Sequence, residues 1–128
     1  MILPVFVYGT LRTGEAGFVE LGLGALVEPL GPATVAGTLY DLGEYPGAVL
    51  GGESVISGEL LLPRDEAVLA MLDAYEVFDP SDPAGSEYLR IRSETEEGPV
   101  KIWIYVYNFP LENALPIAGG NWLRRTLP

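Results

Sequence analysis

The chain has 128 residues, 48% of them hydrophobic, and its 18 acidic and 7 basic residues give a net charge of −11. This length predicts one domain spanning residues 1–128 with room for a real core. The acidic balance excludes nucleic-acid binding, because no basic patch beyond Arg124-Arg125 could neutralise phosphates. With neither cysteine nor histidine present, disulfides, thiolate nucleophiles, Ser-His triads and the usual zinc, copper or iron sites are removed. Any proton transfer then falls to a carboxylate, a tyrosine or the substrate itself.

In chain order, Val5-Phe6-Val7-Tyr8 reads as a buried strand that stops at Gly9, with Thr10 just beyond it. A strand running into Gly-Thr exposes free backbone N–H groups, and glycine lets a ligand come close, which suits an anionic or carbonyl-bearing small molecule. The same pattern also serves as a plain strand-ending turn. Residues 1–5 lack a basic flank and a cleavage site and so read as strand, not signal peptide. No apolar run reaches membrane-spanning length, so a soluble cytoplasmic protein is expected.

Residues 14–27 have mildly helical apolar spacing, but Gly17, Gly22 and Gly24 make the helix short or irregular. Residues 29–32, bounded by prolines, break the pattern, and 33–42 alternate as a strand. Tyr45-Pro46-Gly47 and Gly51-Gly52 predict turns, and 54–62 predict a strand. Pro63-Arg64-Asp65-Glu66 opens the clearest helix, with proline in the first turn and two acids at the positive end of the dipole. Val68, Leu69, Met71, Leu72 and Tyr75 then recur at helical spacing.

A loop over 78–86 leads to strands at 87–93 and 100–107, joined by a turn at Glu97-Gly98-Pro99 into a hairpin. Residues 108–128 are irregular, with Gly119-Gly120-Asn121-Trp122 folding back on the body. Strands on both sides of one good helix predict an α+β domain, a small, mainly antiparallel β-barrel or curled sheet with a helix across it.

Glu76 is the acid that stands out. Leu72 and Leu69 lie four and seven residues before it, which places it on the apolar face at the C-terminal end of the helix. Burial and the helix dipole both act to raise its pKa toward the range of a general acid or base. Asp73 is the second candidate. A frayed, hydrated helix end is the bland alternative. Tyr88 and Arg90 share one strand face, and Tyr105 and Tyr107 share another, opposite Ile104 and Val106. Tyrosines so placed serve as core packing with the hydroxyl tied to backbone, or line a pocket.

Tyr8-Gly9-Thr10-Leu11-Arg12 resembles the Tyr-Gly-[Ser/Thr]-Leu signature of the γ-glutamylcyclotransferase-like (AIG2-like) family. Tyr45-Pro46-Gly47-Ala48, Leu72-Asp73-Ala74-Tyr75-Glu76, Glu87-Tyr88-Leu89-Arg90 and Ile104-Tyr105-Val106-Tyr107 fit in the same order, and Gly119-Gly120-Asn121-Trp122 resembles the tail of bacterial members. The resemblance implies a small β-barrel with packed helices. It implies a γ-glutamyl group held by backbone N–H groups of the loop matching Tyr8, Gly9, Thr10 and Leu11, with Tyr88 at the substrate and Glu76 as catalytic base. The leaving-amine half of the pocket falls to loops 41–52 and 78–87. One departure is visible: the family commonly has glycine directly after that glutamate, and here Val77 follows.

A γ-glutamyl amide carries its own nucleophile, the α-amine, so ring closure to 5-oxoproline needs one base and N–H donors for the oxyanion. No metal or cofactor is required, and the expected partner is a small-molecule γ-glutamyl substrate. The alternatives are a non-catalytic small-metabolite binding module with the same pocket, and an interaction protein in which Trp103, Tyr105 and Trp122 serve packing or an interface.

Overall fold

In the computed structural model, which describes residues 2–124, six strands form one mixed sheet in the order β4-β5-β1-β3-β2-β6. Strand β1 (Val5–Val7) is short but central. It pairs antiparallel with β3 (Pro46–Pro63), Val5 opposite Leu61, and parallel with β5 (Lys101–Tyr107), Val5 opposite Trp103. β2 (Val27–Asp41) and β3 form a long hairpin, β4 (Tyr88–Glu94) and β5 a second one, and β6 (Leu115–Pro116) adds to the end of β2. The sheet curls: the N–H of Glu96, in the β4–β5 turn, donates to the carbonyl of Thr34 on β2 at 2.8 Å. The architecture is the α+β, barrel-like one that the strand and helix pattern predicts.

Alternation along the strands gives two cores. Phe6, Leu60, Val35, Ile56, Ile102 and Ile104 meet inside the curl, closed by Ile117 and Trp122 of the returning tail. The Ser57 N–H donates to the Gly120 carbonyl at 2.8 Å and seats that tail as the glycines there predict. Val5, Val7 and Leu61 face the other way, against Val68, Leu69 and Leu72 of helix α2 (Glu66–Tyr75). A second, five-residue helix, α1 (Ala16–Glu20), follows the first strand.

Three expectations need correction. Residues 29–32 do not interrupt the chain but belong to β2, with a bulge between Pro29 and Gly31. Away from Tyr40 and Asp41, β2 pairs with β3 alone, and an edge strand or a bulge is where a sheet tolerates proline. Gly51 and Gly52, both with positive φ, form an excursion within β3, since Ala36 pairs with Val55 and the next residue, Gly37, with Leu50. Pro63 closes β3 opposite Val27, and the helix begins after it, capped by the Asp65 side chain, which accepts from the Val68 N–H.

Helix α2 ends in a Schellman motif. The Phe78 N–H donates to the Asp73 carbonyl at 2.9 Å and the Val77 N–H to the Ala74 carbonyl at 3.2 Å. This geometry requires a left-handed residue after the cap, and Val77 supplies it at φ 55°, the one non-glycine with positive φ among the described residues. A β-branched side chain is strained there, and Val77, 57% exposed, recovers little by burial. The motif gives a physical reason for the glycine that the family resemblance leads one to expect after Glu76. Val77→Gly is expected to stabilise the fold by about 1 kcal/mol, the relieved strain less the added freedom of the unfolded chain. The check is thermal unfolding, with a rise of about 3–5 °C.

Candidate active site

The loop after β1 is held by its carbonyls. The Gly9 carbonyl accepts from the Arg12 N–H at 3.1 Å, and the Thr10 carbonyl accepts from Gly17 and Phe18 at the start of α1, at 2.8 and 3.2 Å. The N–H groups of Gly9, Thr10 and Leu11 donate to no acceptor among the described residues. Gly9 is needed for packing: a Cβ there would lie 2.7 Å from the Pro46 ring. Pro46 therefore fills the side of Gly9 where a side chain would stand. Gly17 likewise admits the Tyr75 hydroxyl, which lies 3.1 Å from the Thr10 Oγ1.

These contacts shape one side of a cavity of about 310 Å³. Tyr8, Gly9, Thr10 and Leu11 line it from the loop. Tyr75 and Glu76 come from the end of α2, Glu87 and Tyr88 from the start of β4, and Tyr105 from β5. Glu44, Tyr45 and Pro46, from the β2–β3 turn, form the remaining wall. All six site residues named from the sequence, Tyr8, Gly9, Thr10, Leu11, Glu76 and Tyr88, meet here. Asp73 does not line the cavity. Nor do Trp103 and Trp122, although Tyr105 does.

Asp73 is instead a structural anchor. Its carboxylate accepts from Arg90 Nε at 2.7 Å, from Arg90 Nη2 at 3.2 Å and from the Tyr105 hydroxyl at 2.7 Å, tying α2 to β4 and β5. The Arg90 guanidinium also lies 4.3 Å from the Trp103 ring centroid. This is the one ion pair among the described residues. Glu76, one turn further along the helix, has neither a cation nor a hydrogen-bond donor among those residues. The residue is half-buried at the cavity wall. Burial first, then the negative charge of Glu87, push its pKa from the usual 4.5 up to about 8.

The tyrosines form walls whose hydroxyls are in use. Tyr88 donates to the Pro46 carbonyl at 2.7 Å, and Tyr8 donates to the Tyr105 carbonyl. Burial raises the pKa of each, so both stay protonated. Tyr45 donates to Glu87 Oε2 at 2.7 Å, and that bond pushes its own pKa up to about 12. Glu44, Tyr45, Tyr75 and Glu87 were not singled out from the sequence as site residues. The assignment of the leaving-group half to loops 41–52 and 78–87 was the signal that reached Glu44, Tyr45 and Glu87. No group of three or more potential metal ligands stands together among the described residues, and no helix there is long and apolar enough to cross a membrane.

Residues with unbonded amides and an acid without a cation line one small cavity on a curled sheet, a set of groups that suits a small-molecule enzyme using a carboxylate for proton transfer. Comparison with known proteins agrees. The family profile "Gamma-glutamyl cyclotransferase, AIG2-like" matches residues 5–124, and the chain belongs to this family. The γ-glutamylcyclotransferase family protein ytfP of Citrobacter rodentium is 40% identical over 124 residues, 96% of this chain and 97% of that one. The γ-L-glutamyl-butirosin B γ-glutamyl cyclotransferase of Niallia circulans is 34% identical, over 81% of this chain and 66% of that one. The solution structure of ytfP from Escherichia coli superposes with a TM-score of 0.70 at 33% identity, covering 95% of this chain and 97% of its own.

The raised pKa has a consequence for stability. Between pH 4.5 and about 8 the folded protein keeps a proton on Glu76 that the unfolded chain has released. The stability from this group is fully present below pH 4.5 and is lost as the pH rises to about 8. Glutamine at this position does not titrate. Glu76→Gln is therefore expected to gain on the parent across that window, by up to about 1.4 kcal/mol for each pH unit. Urea unfolding of both proteins at pH 5 and pH 8.5 measures it.

Proposed function

We propose that the protein converts a γ-glutamyl amide to 5-oxoproline and a free amine, with Glu76 moving the protons. The supporting observation is the unpaired Glu76 carboxylate, its pKa raised chiefly by burial, in a cavity lined also by Gly9, Thr10 and Leu11, whose N–H groups are unbonded. A carboxylate kept in this state at a cost in stability fits a group held ready for a proton.

The steps follow from the substrate's own chemistry. A γ-glutamyl amide binds with its α-ammonium beside Glu76, and the positive charge favours the ionised carboxylate. Glu76 takes one ammonium proton, and the freed amine attacks the γ-carbonyl, forming the ring C–N bond. Because nucleophile and electrophile belong to one molecule, the attack has a large effective concentration. The N–H groups of Gly9, Thr10 and Leu11 are donors for the oxyanion and for the α-carboxylate. As the tetrahedral species collapses, the amide C–N bond breaks. Two protons from the attacking nitrogen end on the leaving nitrogen, one after the other through Glu76. The lactam nitrogen retains the third, and no water is consumed. The rings of Tyr8 and Tyr88 form the wall along the glutamyl chain. The name of the Niallia circulans relative points to a γ-glutamyl conjugate as its substrate, which favours the same class here.

The test is 5-oxoproline release from γ-glutamyl-alanine, γ-glutamyl-ε-lysine, glutathione and simple γ-glutamyl amines, followed by mass spectrometry. Glu76→Gln is expected to lose about 10²-fold or more in kcat. A variant that kept the parent rate would sink the assignment. The acid limb of kcat/KM is expected to rise through pH 8, the value to which Glu76 is raised. Glu87→Gln removes the neighbouring charge that helps raise it, so that limb is expected to move to lower pH.

A further inference from the structure

We infer, resting on the reading above, that the Thr10 hydroxyl, polarised by Tyr75, is a further substrate-binding group and donates to the α-carboxylate of the γ-glutamyl half. Among the described residues no lysine or arginine lines the cavity, so holding that carboxylate falls to neutral donors. An oxyanion and a carboxylate together offer more acceptor sites than the three N–H groups of Gly9, Thr10 and Leu11 can fill. The side chains of the lining supply one more donor, in one place. Tyr8 donates to the Tyr105 carbonyl, Tyr45 to Glu87, Tyr88 to the Pro46 carbonyl and Tyr105 to Asp73, so each of these hydroxyl protons is committed. Tyr75 differs. Its hydroxyl lies 3.1 Å from the Thr10 Oγ1, and neither oxygen has another partner among the described residues.

Two hydroxyls bring two protons, and only one can lie between the two oxygens. The other has no acceptor among the described residues and is free for a ligand. A phenol is the stronger donor and an aliphatic alcohol the better acceptor, so Tyr75 donates to Oγ1 and the Thr10 O–H is the one left over. The bond that Oγ1 accepts polarises this O–H further. The pair is also fixed in place. Gly17 makes room for the Tyr75 hydroxyl, which a Cβ there would meet at 2.5 Å, and the Thr10 carbonyl is bonded to the N–H groups of Gly17 and Phe18. The placing suits a substrate whose ammonium and carboxylate sit on one carbon: Tyr75 directly precedes Glu76, and Thr10, Tyr75 and Glu76 line the same cavity. The α-carboxylate does not change charge as the ring closes, so a bond to it is made equally in the ground state and the transition state. Such a bond acts on KM.

Two compounds that differ only in the α-carboxylate, γ-glutamyl methylamide and 4-aminobutanoyl methylamide, test it. With the first, Thr10→Val is expected to raise KM about tenfold, the loss falling on KM and not on kcat, and Tyr75→Phe to raise KM about threefold. Thr10→Ser, which keeps the hydroxyl, is expected to bring KM back toward the parent value. With the second, read by release of 2-pyrrolidinone or by competitive inhibition of the first, parent and Thr10→Val are expected to be alike. An unchanged KM in Thr10→Val, a loss in kcat instead of KM, or an equal loss with both compounds overturns the inference and leaves the cyclotransferase reading standing. Absence of 5-oxoproline from the parent overturns that reading instead, and calorimetric binding of the two lactams then decides the site. Binding of 5-oxoproline about tenfold weaker in Thr10→Val than in the parent, with 2-pyrrolidinone unaffected, supports it. Equal or absent binding of 5-oxoproline overturns it.

Discussion

In the last turn of α2, Asp73 and Glu76 stand on one side of the helix, three residues apart, and only one of them is neutralised. Arg90 grips Asp73 with two hydrogen bonds while its guanidinium lies against Trp103, and Tyr105 adds a third bond. That arrangement docks the helix on the β4–β5 hairpin and keeps the arginine charge on Asp73. A cation that also reached Glu76 would hold it ionised and lower its pKa. Glu76 keeps no cation among the described residues, while Asp73 next to it takes the hydrogen bonds offered by Arg90 and Tyr105.

The opposite wall depends on close packing. Gly9 admits the Pro46 ring, Gly17 admits the Tyr75 hydroxyl, and the carbonyls of Gly9 and Thr10 are bonded inside the loop. The amides of residues 9–11 are what remains unused. Tertiary contacts thus leave these donors unbonded beside a cavity whose ionisable lining is otherwise made of acids and tyrosines. The Val77 backbone belongs to the same region. Its left-handed conformation turns the chain out of α2 just after Glu76 and into the loop that delivers Glu87, so strain is stored beside the acid it helps to place.

Much of this was legible in the residue order. The strand ending at Gly9, the amphipathic helix ending at Glu76, the β4–β5 hairpin and the returning tail all follow from local periodicity and turn chemistry, and the structure has each of them. The prolines of β2 and the glycines of β3 misled for one reason. Both residue types punctuate a chain locally, but an edge strand tolerates proline and a bulge accommodates glycine, and neither context exists until the sheet is assembled. The pKa of Glu76 was legible in direction only. Burial was foreseeable from the helix face, whereas Glu87 lies eleven residues further along the chain and acts through space.

By itself, then, the sequence determined which chemistry was open to this protein. Without cysteine or histidine, proton transfer rests on acids and tyrosines, and the spacing of Leu69, Leu72 and Glu76 put one acid on an apolar helix face. Its motif order determined the family. Tertiary structure decided which acid was left free, since that depends on where Arg90 reaches. It also decided which amides stayed unbonded and how Glu44, Tyr45 and Glu87 gathered at the cavity mouth. Those are relations between segments far apart in the chain, and charge, desolvation and hydrogen bonding act over distances that exist only after folding.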